Sequence, residues 1–524
     1  MSEPPVLPAP RDQRSGRSSR PGHAGRRPAR PVVRALVAGG AVIAVLAVAL
    51  VLVVRSGLGI EGKQRIAIGV ILEPTTLDMR TPTGVATGQL LIDNVYQGLV
   101  GIAPGTVSQL VPVLAAEMPS ISADGREYRF TLRTGVRFHS GKELTAEDVV
   151  ASLRETVTPQ NVGFAAEISR IDDRTVVLTL AEPNSEVLWQ LANEPGMIRE
   201  ADAGNDLAVS AVGTGPYAFD RWRRGESLTL VKNRDYWGEP ASLDRVAFRF
   251  LPEGRAAVDA LESGEVDVHT ALHPSLRAEF ENDPGFELQR AAGADIFTLA
   301  YNSARAPLDD LRVRTALSRA IDTRAIIASQ NGDGRPIGGP ITELEPGFVD
   351  LTDINDYDPD SARQLLVEAG HPNLNLTITV PSHYDSAPLD LLRSQLADVG
   401  VSVTVKQLEF PLWLEQVYTN HDYQLSYVDH AEARDLSAYA NPDSYFGYDS
   451  RPVQSLYARA LAEPDSEEQA RLLGEAARSV AEDAPAKWLF NYTPTNVVAA
   501  NVTGFPRVNT NARINLEGVR VHDR

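Results

Sequence analysis

Hydrophobic and polar positions repeat with two periods along the chain, and each change of period predicts where a strand gives way to a helix. The apolar run from Ile66 to Leu72 predicts a strand. Between Ser361 and residue 428, helix and strand patterns alternate, which predicts a parallel or mixed sheet with covered faces. The predicted elements are a helix over 362–369 that begins at Ser361, a strand over 374–380, a helix over 388–399, a strand over 401–405, a short helix over 411–418 and a strand over 423–428.

Residues 128–153 combine a strand pattern with a helix-start signal. Alternating apolar residues predict a β-hairpin over 128–138. Thr145, followed three residues later by Asp148, is a variant of the capping box and predicts that a helix begins there. The many polar side chains of this segment are therefore expected to support the backbone rather than to carry out catalysis.

Residues 35–54 are twenty consecutive uncharged and mostly apolar residues, enough for a helix of about 30 Å. We predict a transmembrane signal anchor over 32–55, preceded by a disordered tail over 1–31 rich in Arg and Pro. A cleavable signal peptide is the alternative, but no small-residue cleavage site follows the apolar run. Eight arginines precede the run, which places the N-terminus in the cytoplasm and the large domain outside the cell membrane, in a single-pass topology.

Overall charge and the absence of cysteine exclude several classes of function. The chain has 50 basic and 69 acidic residues in 524, a net charge of −19, which argues against nucleic acid as a partner. With no cysteine, disulfides, thiolate catalysis and lipid attachment through cysteine are excluded. The length predicts about three globular units.

Motifs for catalysis and for metal binding do not occur in the sequence. His269 and His273 are four residues apart but lack the glutamate of a zinc-binding helix. The glycine-rich segment 331–339 lacks the spacing of a phosphate-binding loop, and there is no G-x-S-x-G motif. A glycosidase would need two facing acids, and no pair stands out. We expect no metal and no cofactor, and we expect Tyr236 and Trp237 to pack in the core.

Polar residues that follow strands are the first candidates for a ligand site, because ligands of open α/β sheets bind beyond the carboxyl ends of strands. Glu73 follows the first predicted strand. The segment after the last predicted strand is denser in polar residues, and an ordinary solvated loop is the alternative interpretation. Its polar residues are Asp429, His430, Glu432, Arg434 and Asp435.

Four sequence blocks occur in order over most of residues 64–510. They are VYQGLVG at 95–101 continued by 110–153, GTGPYAFDRW through ALESGEVDV at 213–268, FTLAYNSARAPLDDLRVRTALSRAIDTRAII at 297–327, and the helix–strand series ending in LLRSQLADVGVSVTVKQ. Together these blocks resemble the extracellular solute-binding proteins of ABC transporters, in particular the oligopeptide/dipeptide-binding family 5.

The resemblance implies an α/β fold, a two-lobed periplasmic-binding-protein clamshell of type II-like form with an extra subdomain in lobe I, preceded by the transmembrane helix. The chain would cross between the lobes near Gly293 and near Leu489, and hinge closure would hold a ligand between them. Lobe I would comprise 62–100, 213–292 and 489–524, its inserted subdomain 101–212, and lobe II 293–488.

The resemblance also implies ligand-binding residues. In peptide-binding relatives an aspartate in the polar loop of lobe II pairs with the amino terminus of the ligand, and Glu432 stands at the matching position, with Asp435 as a second acid. Leu436 replaces a proline of the family pattern, and the tryptophan common upstream is absent. The candidate ligand-binding residues are Glu73, Asn302, Asp429, Glu432, Arg434 and Asp435.

The function implied is that of a membrane-anchored extracellular solute-binding protein of an ABC importer. It would capture peptides or a related small cationic solute, would not be an enzyme, and would deliver its ligand as a monomeric ectodomain to ABC permease subunits. The alternative is a membrane-anchored sensor or envelope scaffold that uses the same fold without import. Hydrolase activity is a third possibility, but no pair of carboxylates in the sequence can be identified as catalytic.

Overall fold

The computed structural model of the chain describes residues 64–80, 84–201, 204, 206–431 and 433–523. The predicted tail, the predicted transmembrane segment over 32–55 and Glu432 lie outside these residues. Within the part described, no helix combines the length and the apolar character needed to cross a membrane.

The strands are numbered in chain order. They are β1 Arg65–Val70, β2 Val100–Ile102, β3 Leu110–Pro112, β4 Ser120–Ile121, β5 Glu127–Thr131, β6 Ala166–Arg170, β7 Thr175–Leu180, β8 Tyr217–Arg223, β9 Ser227–Lys232, β10 Arg245–Phe250, β11 Val268–His269, β12 Phe286–Arg290, β13 Ile296–Tyr301, β14 Gly334–Arg335, β15 Leu374–Pro381, β16 Val401–Leu408, β17 Leu425–His430, β18 Ala486–Tyr492, β19 Thr495–Ala499, β20 Val502–Thr503 and β21 Arg520–Val521.

The α-helices are numbered in the same way. They are α1 Val85–Leu91, α2 Ala146–Thr156, α3 Pro159–Val162, α4 Val187–Leu191, α5 Gly254–Glu262, α6 Leu311–Arg319, α7 Thr323–Ser329, α8 Pro359–Glu368, α9 Ser386–Asp398, α10 Phe410–Trp413, α11 Leu436–Ala440, α12 Arg451–Ala462 and α13 Ser466–Asp483. Short 3-10 helices occupy Glu194–Gly196 and Pro274–Glu279, and a π-helical turn follows α10 at Leu414–Thr419.

The first large sheet has seven strands in the order β12-β19-β11-β1-β10-β9-β8. Its central strand β1 runs parallel to β10 and β11, so that Ile68 lies opposite Phe248 and Val268. All three side chains are fully buried. The predicted strand at the start of this region is confirmed, although it ends at Val70.

The second large sheet has six strands in the order β14-β18-β13-β17-β15-β16. Strand β15 pairs in parallel with β16 and β17, whereas β13 is antiparallel to β17 and β18. The sheet is therefore mixed, one of the two forms that the sequence predicted. Every residue of β13 is buried, as expected of a central strand that is covered on both faces.

The predicted helix–strand series is confirmed in type and order, but several boundaries differ, including those of α8, β16 and β17. Helix α8 begins at Pro359 rather than at Ser361, because Asp358 accepts a hydrogen bond of 2.9 Å from the Ser361 N–H and caps the helix. Strand β17 continues to His430. Asp429 and His430 are therefore strand residues, not loop residues as predicted.

A smaller sheet of order β4-β5-β7-β6 lies within residues 101–212, and α2 packs against β6 and β7. The predicted hairpin over 128–138 is wrong, because both edges of β5 pair with other strands, β4 and β7. Val136 and Phe138 are instead buried without forming a strand. The capping box is confirmed: the Asp148 carboxylate accepts hydrogen bonds from the Thr145 N–H and hydroxyl at 3.0 and 2.8 Å.

Two chain segments connect the large sheets. Residues 291–295 join β12 of the first sheet to β13 of the second, and residues 493–494 join β18 back to β19. The expected crossing at Gly293 falls in the first connection. The expected crossing at Leu489 falls inside β18, which stays in the second sheet until Tyr492.

The capping carboxylate generates a stability prediction. Asp148 is 1% exposed and also receives a hydrogen bond of 2.5 Å from Lys142 Nζ. Asp148→Ala should lower the free energy of unfolding by about 3 kcal/mol, because four donors, the Ala201 N–H at 3.3 Å among them, lose their acceptor in a buried setting. Urea denaturation of the full-length chain in detergent measures this change in the free energy of unfolding. Asp173→Ala, at a carboxylate that is 85% exposed and pairs with Arg170, is the control and should change the value by less than about 0.5 kcal/mol.

A buried histidine generates a prediction about pH. His269 is 2% exposed in β11, and burial lowers the pKa of its imidazole from 6.5 to about 4. Between these values the unfolded chain binds a proton that the folded chain does not, so stability should fall as the pH falls from 6.5 towards 4. The full shift corresponds to about 3 kcal/mol.

Unfolding midpoints measured across this pH range should show a flatter dependence in His269→Gln than in the parent protein. His522→Gln replaces an exposed histidine and is the matched control. An unchanged slope in His269→Gln would show that this side chain is not the source of the acid sensitivity.

Candidate functional site

A cavity of about 1480 Å³ lies between the two large sheets. On one side it is lined by residues that follow β1 and β10 and by the end of β11, on the other by residues that follow β15 and by the end of β17. These are the carboxyl ends of parallel strands, where ligands of α/β sheets bind. Helix α4, within residues 101–212, contributes a third wall.

An aromatic cluster forms the wall on the side of the second sheet. The Phe297 ring lies 5.2 Å from Tyr384 and 5.3 Å from Tyr492 between centroids, both in edge-on geometry, and all three residues line the cavity. It also stacks on Phe490 at 4.9 Å. Rings fixed in this way offer a ligand a rigid apolar surface that needs little ordering on binding.

Asp429 projects from β17 beside these rings, and Asp295 lies just before β13, next to it. The Asp429 N–H donates a hydrogen bond of 3.0 Å to the Tyr384 hydroxyl, but its carboxylate Oδ1 has no hydrogen-bond partner among the described residues. Burial raises the pKa of both carboxyl groups, and the charge of Asp295 raises that of Asp429 further. The pair therefore favours a state that holds a proton.

His430 is fixed between two partners at the edge of the cavity. Its Nδ1 lies 2.7 Å from Asp435 Oδ1, and its Nε2 lies 2.7 Å from the Tyr445 hydroxyl. One oxygen of Asp435 is thereby used to orient the imidazole. His430 lines the cavity, but both of its ring nitrogens already have side-chain partners.

Arg434 connects the second sheet's side of the cavity to the 101–212 region. Its backbone has a left-handed φ of 73°, and its N–H donates a 2.6 Å hydrogen bond to Glu345 Oε1, which fixes the loop. The guanidinium lies 3.7 Å from Glu186 Oε1 and 5.3 Å from the centre of the Trp189 ring. Burial raises the pKa of Glu186, and the arginine charge opposes this shift.

Two sequence candidates have structural roles outside the cavity lining. The Glu73 carboxylate accepts hydrogen bonds of 3.0 Å from Trp222 Nε1 and from the Gly225 N–H, so it holds the turn between β8 and β9. The Asn302 amide donates to the carbonyls of His421 and Tyr423 at 3.0 and 3.1 Å. Neither residue belongs to the cavity wall.

The structure thus brings together Asp429, Arg434 and Asp435, while Glu432 lies outside the described residues. Sequence reasoning missed the residues that the fold brings to them from other segments: Asp295, Tyr384, Tyr492, Glu186 and Trp189. For Asp295 a signal existed, since an acid stood directly before an apolar strand at a predicted lobe crossing. Among described residues, no group of three or more His, Asp or Glu could hold a metal ion.

Comparison with curated proteins finds relatives with different solutes in their names. Di/tripeptide-binding protein 2 of Pseudomonas aeruginosa (strain UCBPP-PA14) is 29% identical over 62% of this chain and 67% of its own length. Heme-binding protein A of Haemophilus influenzae is 30% identical over 53% of this chain and 57% of its own length, so this match spans little over half of that relative. Neither name describes a sensor or a scaffold, so that alternative is not favoured.

Comparison with solved structures identifies the fold. The ABC transporter-associated periplasmic binding protein DppA from Helicobacter pylori, in complex with peptide STSA, matches with a TM-score of 0.80 at 23% identity. The match covers 88% of this chain and 98% of that one. The chain therefore has the two-lobed, mixed α/β fold of periplasmic binding proteins.

The family model described as "Bacterial extracellular solute-binding proteins, family 5 Middle" matches residues 109–451, more than half of the chain. The family binds solutes and is not enzymatic, in agreement with the expectation from the sequence. The chain belongs to the bacterial extracellular solute-binding proteins of family 5.

Proposed function

We propose that this protein captures peptides, or a related small cationic solute, in the cavity between its lobes and delivers them to an ABC permease. The observation that carries the proposal is a cavity of about 1480 Å³ that combines aromatic walls with buried carboxylates. This volume exceeds the roughly 300–1,000 Å³ typical of small-molecule clefts, so it leaves room for a ligand of several residues. The peptide named with the matching solved structure supports the same class of ligand.

We further propose the lobe division expected from the sequence, with the second crossing moved to residues 493–494. Lobe I would hold the seven-stranded sheet, residues 101–212 its inserted subdomain, and lobe II the six-stranded sheet. Hinge motion at the two connections would open and close the cavity. The protein would act as a monomeric ectodomain held by the proposed membrane anchor over 32–55, with the N-terminus in the cytoplasm.

In this proposal the site residues have separate tasks. Asp429 would face a positively charged group of the ligand, and Asp435 would act indirectly by orienting His430. Glu432 remains the proposed partner of a peptide amino terminus. Glu73 and Asn302 are not proposed to touch the ligand, because their polar atoms already serve backbone and side-chain partners.

Calorimetry of the full-length chain in detergent, against mixtures of di- and tripeptides, amines and sugars, tests the proposal. Peptides or cationic solutes should bind with a measurable heat, and mass spectrometry of material that co-purifies with the protein should identify members of the same class. Co-purification with permease subunits is the expected result of affinity capture. Binding confined to neutral sugars, or no binding across all three classes, would contradict the proposal.

The contact between Arg434 and Glu186 generates a further prediction about closure. It joins lobe II to the inserted subdomain, as does the hydrogen bond of 2.8 Å from the Ser185 N–H to the Leu461 carbonyl. Arg434→Met and Glu186→Gln should each weaken binding of the solute identified by calorimetry about tenfold, because both remove a contact that the proposed opening of the lobes would break.

The double variant distinguishes a contact between the lobes from direct contacts with the ligand. If the two side chains act through each other, Arg434→Met with Glu186→Gln should bind no more weakly than the worse single variant. Arg459→Met, at an exposed arginine on α12, is the matched control and should bind as the parent does. Additive losses would show that the two residues act independently.

A further inference from the structure

Two carboxyl groups lie together on the second sheet, and neither has a basic partner among the described residues. In the antiparallel pairing of β13 with β17, Phe297 is opposite Asp429, and Asp295 comes two residues before Phe297 on the same face. Asp295 and Asp429 are thus diagonal neighbours across the two strands, within reach of each other. Asp429 lines the cavity, and Asp295 lies behind it.

The protein provides few interactions to replace the water that these two carboxyl groups lose on burial. Asp295 is 1% exposed, and the Asn511 side-chain amide beside it lowers the pKa of its carboxyl group against the larger effect of burial. Asp429 Oδ1 has no hydrogen-bond partner among the described residues. Among the residues that the structure describes, no lysine or arginine forms an ion pair with either group. A buried polar group without a partner lowers the stability of the folded chain by about 1–3 kcal/mol, and a charged one lowers it more. The pair is therefore destabilising unless a ligand interacts with it.

The described surroundings are aromatic, and no basic group there lowers the pKa of either carboxyl group. The groups that face the pair are the hydroxyl-bearing rings of Tyr384, Tyr427 and Tyr492, the Phe297 ring and, near Asp295, the Asn511 amide. Aromatic faces beside carboxylates attract organic cations through both their quadrupoles and the acid charge. A metal ion would require more oxygen ligands than the described residues provide here.

We propose that Asp295 and Asp429 form a cation subsite on the lobe II wall of the cavity, which accepts a primary ammonium or guanidinium group of the solute. This inference rests on the proposed function and specifies the ligand: it must carry such a group. The subsite differs from the loop position of Glu432, so a peptide held there by its amino terminus could place a basic side chain against the pair.

Charge balance in this step requires the exchange of one proton. Burial raises the pKa of both carboxyl groups, and the charge of Asp295 raises that of Asp429 further, so the empty pair holds one proton. When the ammonium group enters, that proton leaves to the solvent, and the cation is held by charge-assisted hydrogen bonds to carboxylate oxygens. No covalent bond forms or breaks apart from this proton transfer.

Infrared difference spectroscopy of the full-length protein in detergent tests the subsite by itself. The probe is n-propylammonium chloride, and 1-propanol is the neutral control of similar size. Propylammonium should remove the C=O stretching band of a buried protonated carboxyl group and release a proton to the buffer, and propanol should do neither. Because the probe is not a peptide, this result stands independently of whether the peptide calorimetry succeeds.

Variants assign the signal to the pair. Asp429→Asn should abolish the band change and weaken propylammonium binding at least tenfold, and Asp295→Asn should do the same if it folds. Asp449→Asn, at an exposed carboxyl group on the same lobe, is the matched control and should leave the signal intact. An equal response to propanol, no response to propylammonium, or a signal that survives Asp429→Asn would overturn the inference.

Discussion

The arrangement depends on one constraint: the chain passes between the two large sheets at two adjacent places. Residues 291–295 lead from β12 into β13, and residues 493–494 lead from β18 into β19. The Tyr492 N–H donates a hydrogen bond of 2.8 Å to the Asp295 carbonyl, which ties the two connections together. A third segment runs alongside them, since the Ala292 N–H donates to the Arg507 carbonyl and the Asn509 N–H to the Ala292 carbonyl. Connections that are few and short are what the proposed hinge motion between the sheets requires.

The same constraint explains why the polar groups of the site lie where they do. Asp295 belongs to a connection, and a Cβ on Gly293 would overlap its carboxylate, so glycine at that position leaves room for the acid. Asp429 faces it from the neighbouring strand. Burying two acids together lowers the stability of the folded chain. Such destabilising arrangements are found at functional sites, where ligand binding can offset the loss. Arg434, on the same side of the cavity, is partly buried, and its charge is opposed by that of Glu186 from residues 101–212.

The sequence predicted the local elements well where local signals decide them. The capping box at Thr145 and Asp148 formed as predicted, since both residues belong to one turn of chain. The alternation of helices and strands after residue 361 was recovered, because a period of hydrophobic residues is visible without any partner. Strand β17 was predicted two residues too early, because its final residues are polar and are held by side chains from elsewhere, among them Tyr384 and Tyr445.

The sequence by itself determined the type and order of these elements and, through four ordered blocks, the family. Only the tertiary structure decided which strands pair, which is why the predicted hairpin failed: β5 pairs with β7, and α2, α3 and β6 lie between them in the chain. It also decided that Asp295 meets Asp429 and that Arg434 meets Glu186, contacts between residues far apart in the chain. The physical reason is that helix periods and caps are set by neighbours within one turn, whereas strand pairing and buried charge contacts depend on how distant segments pack.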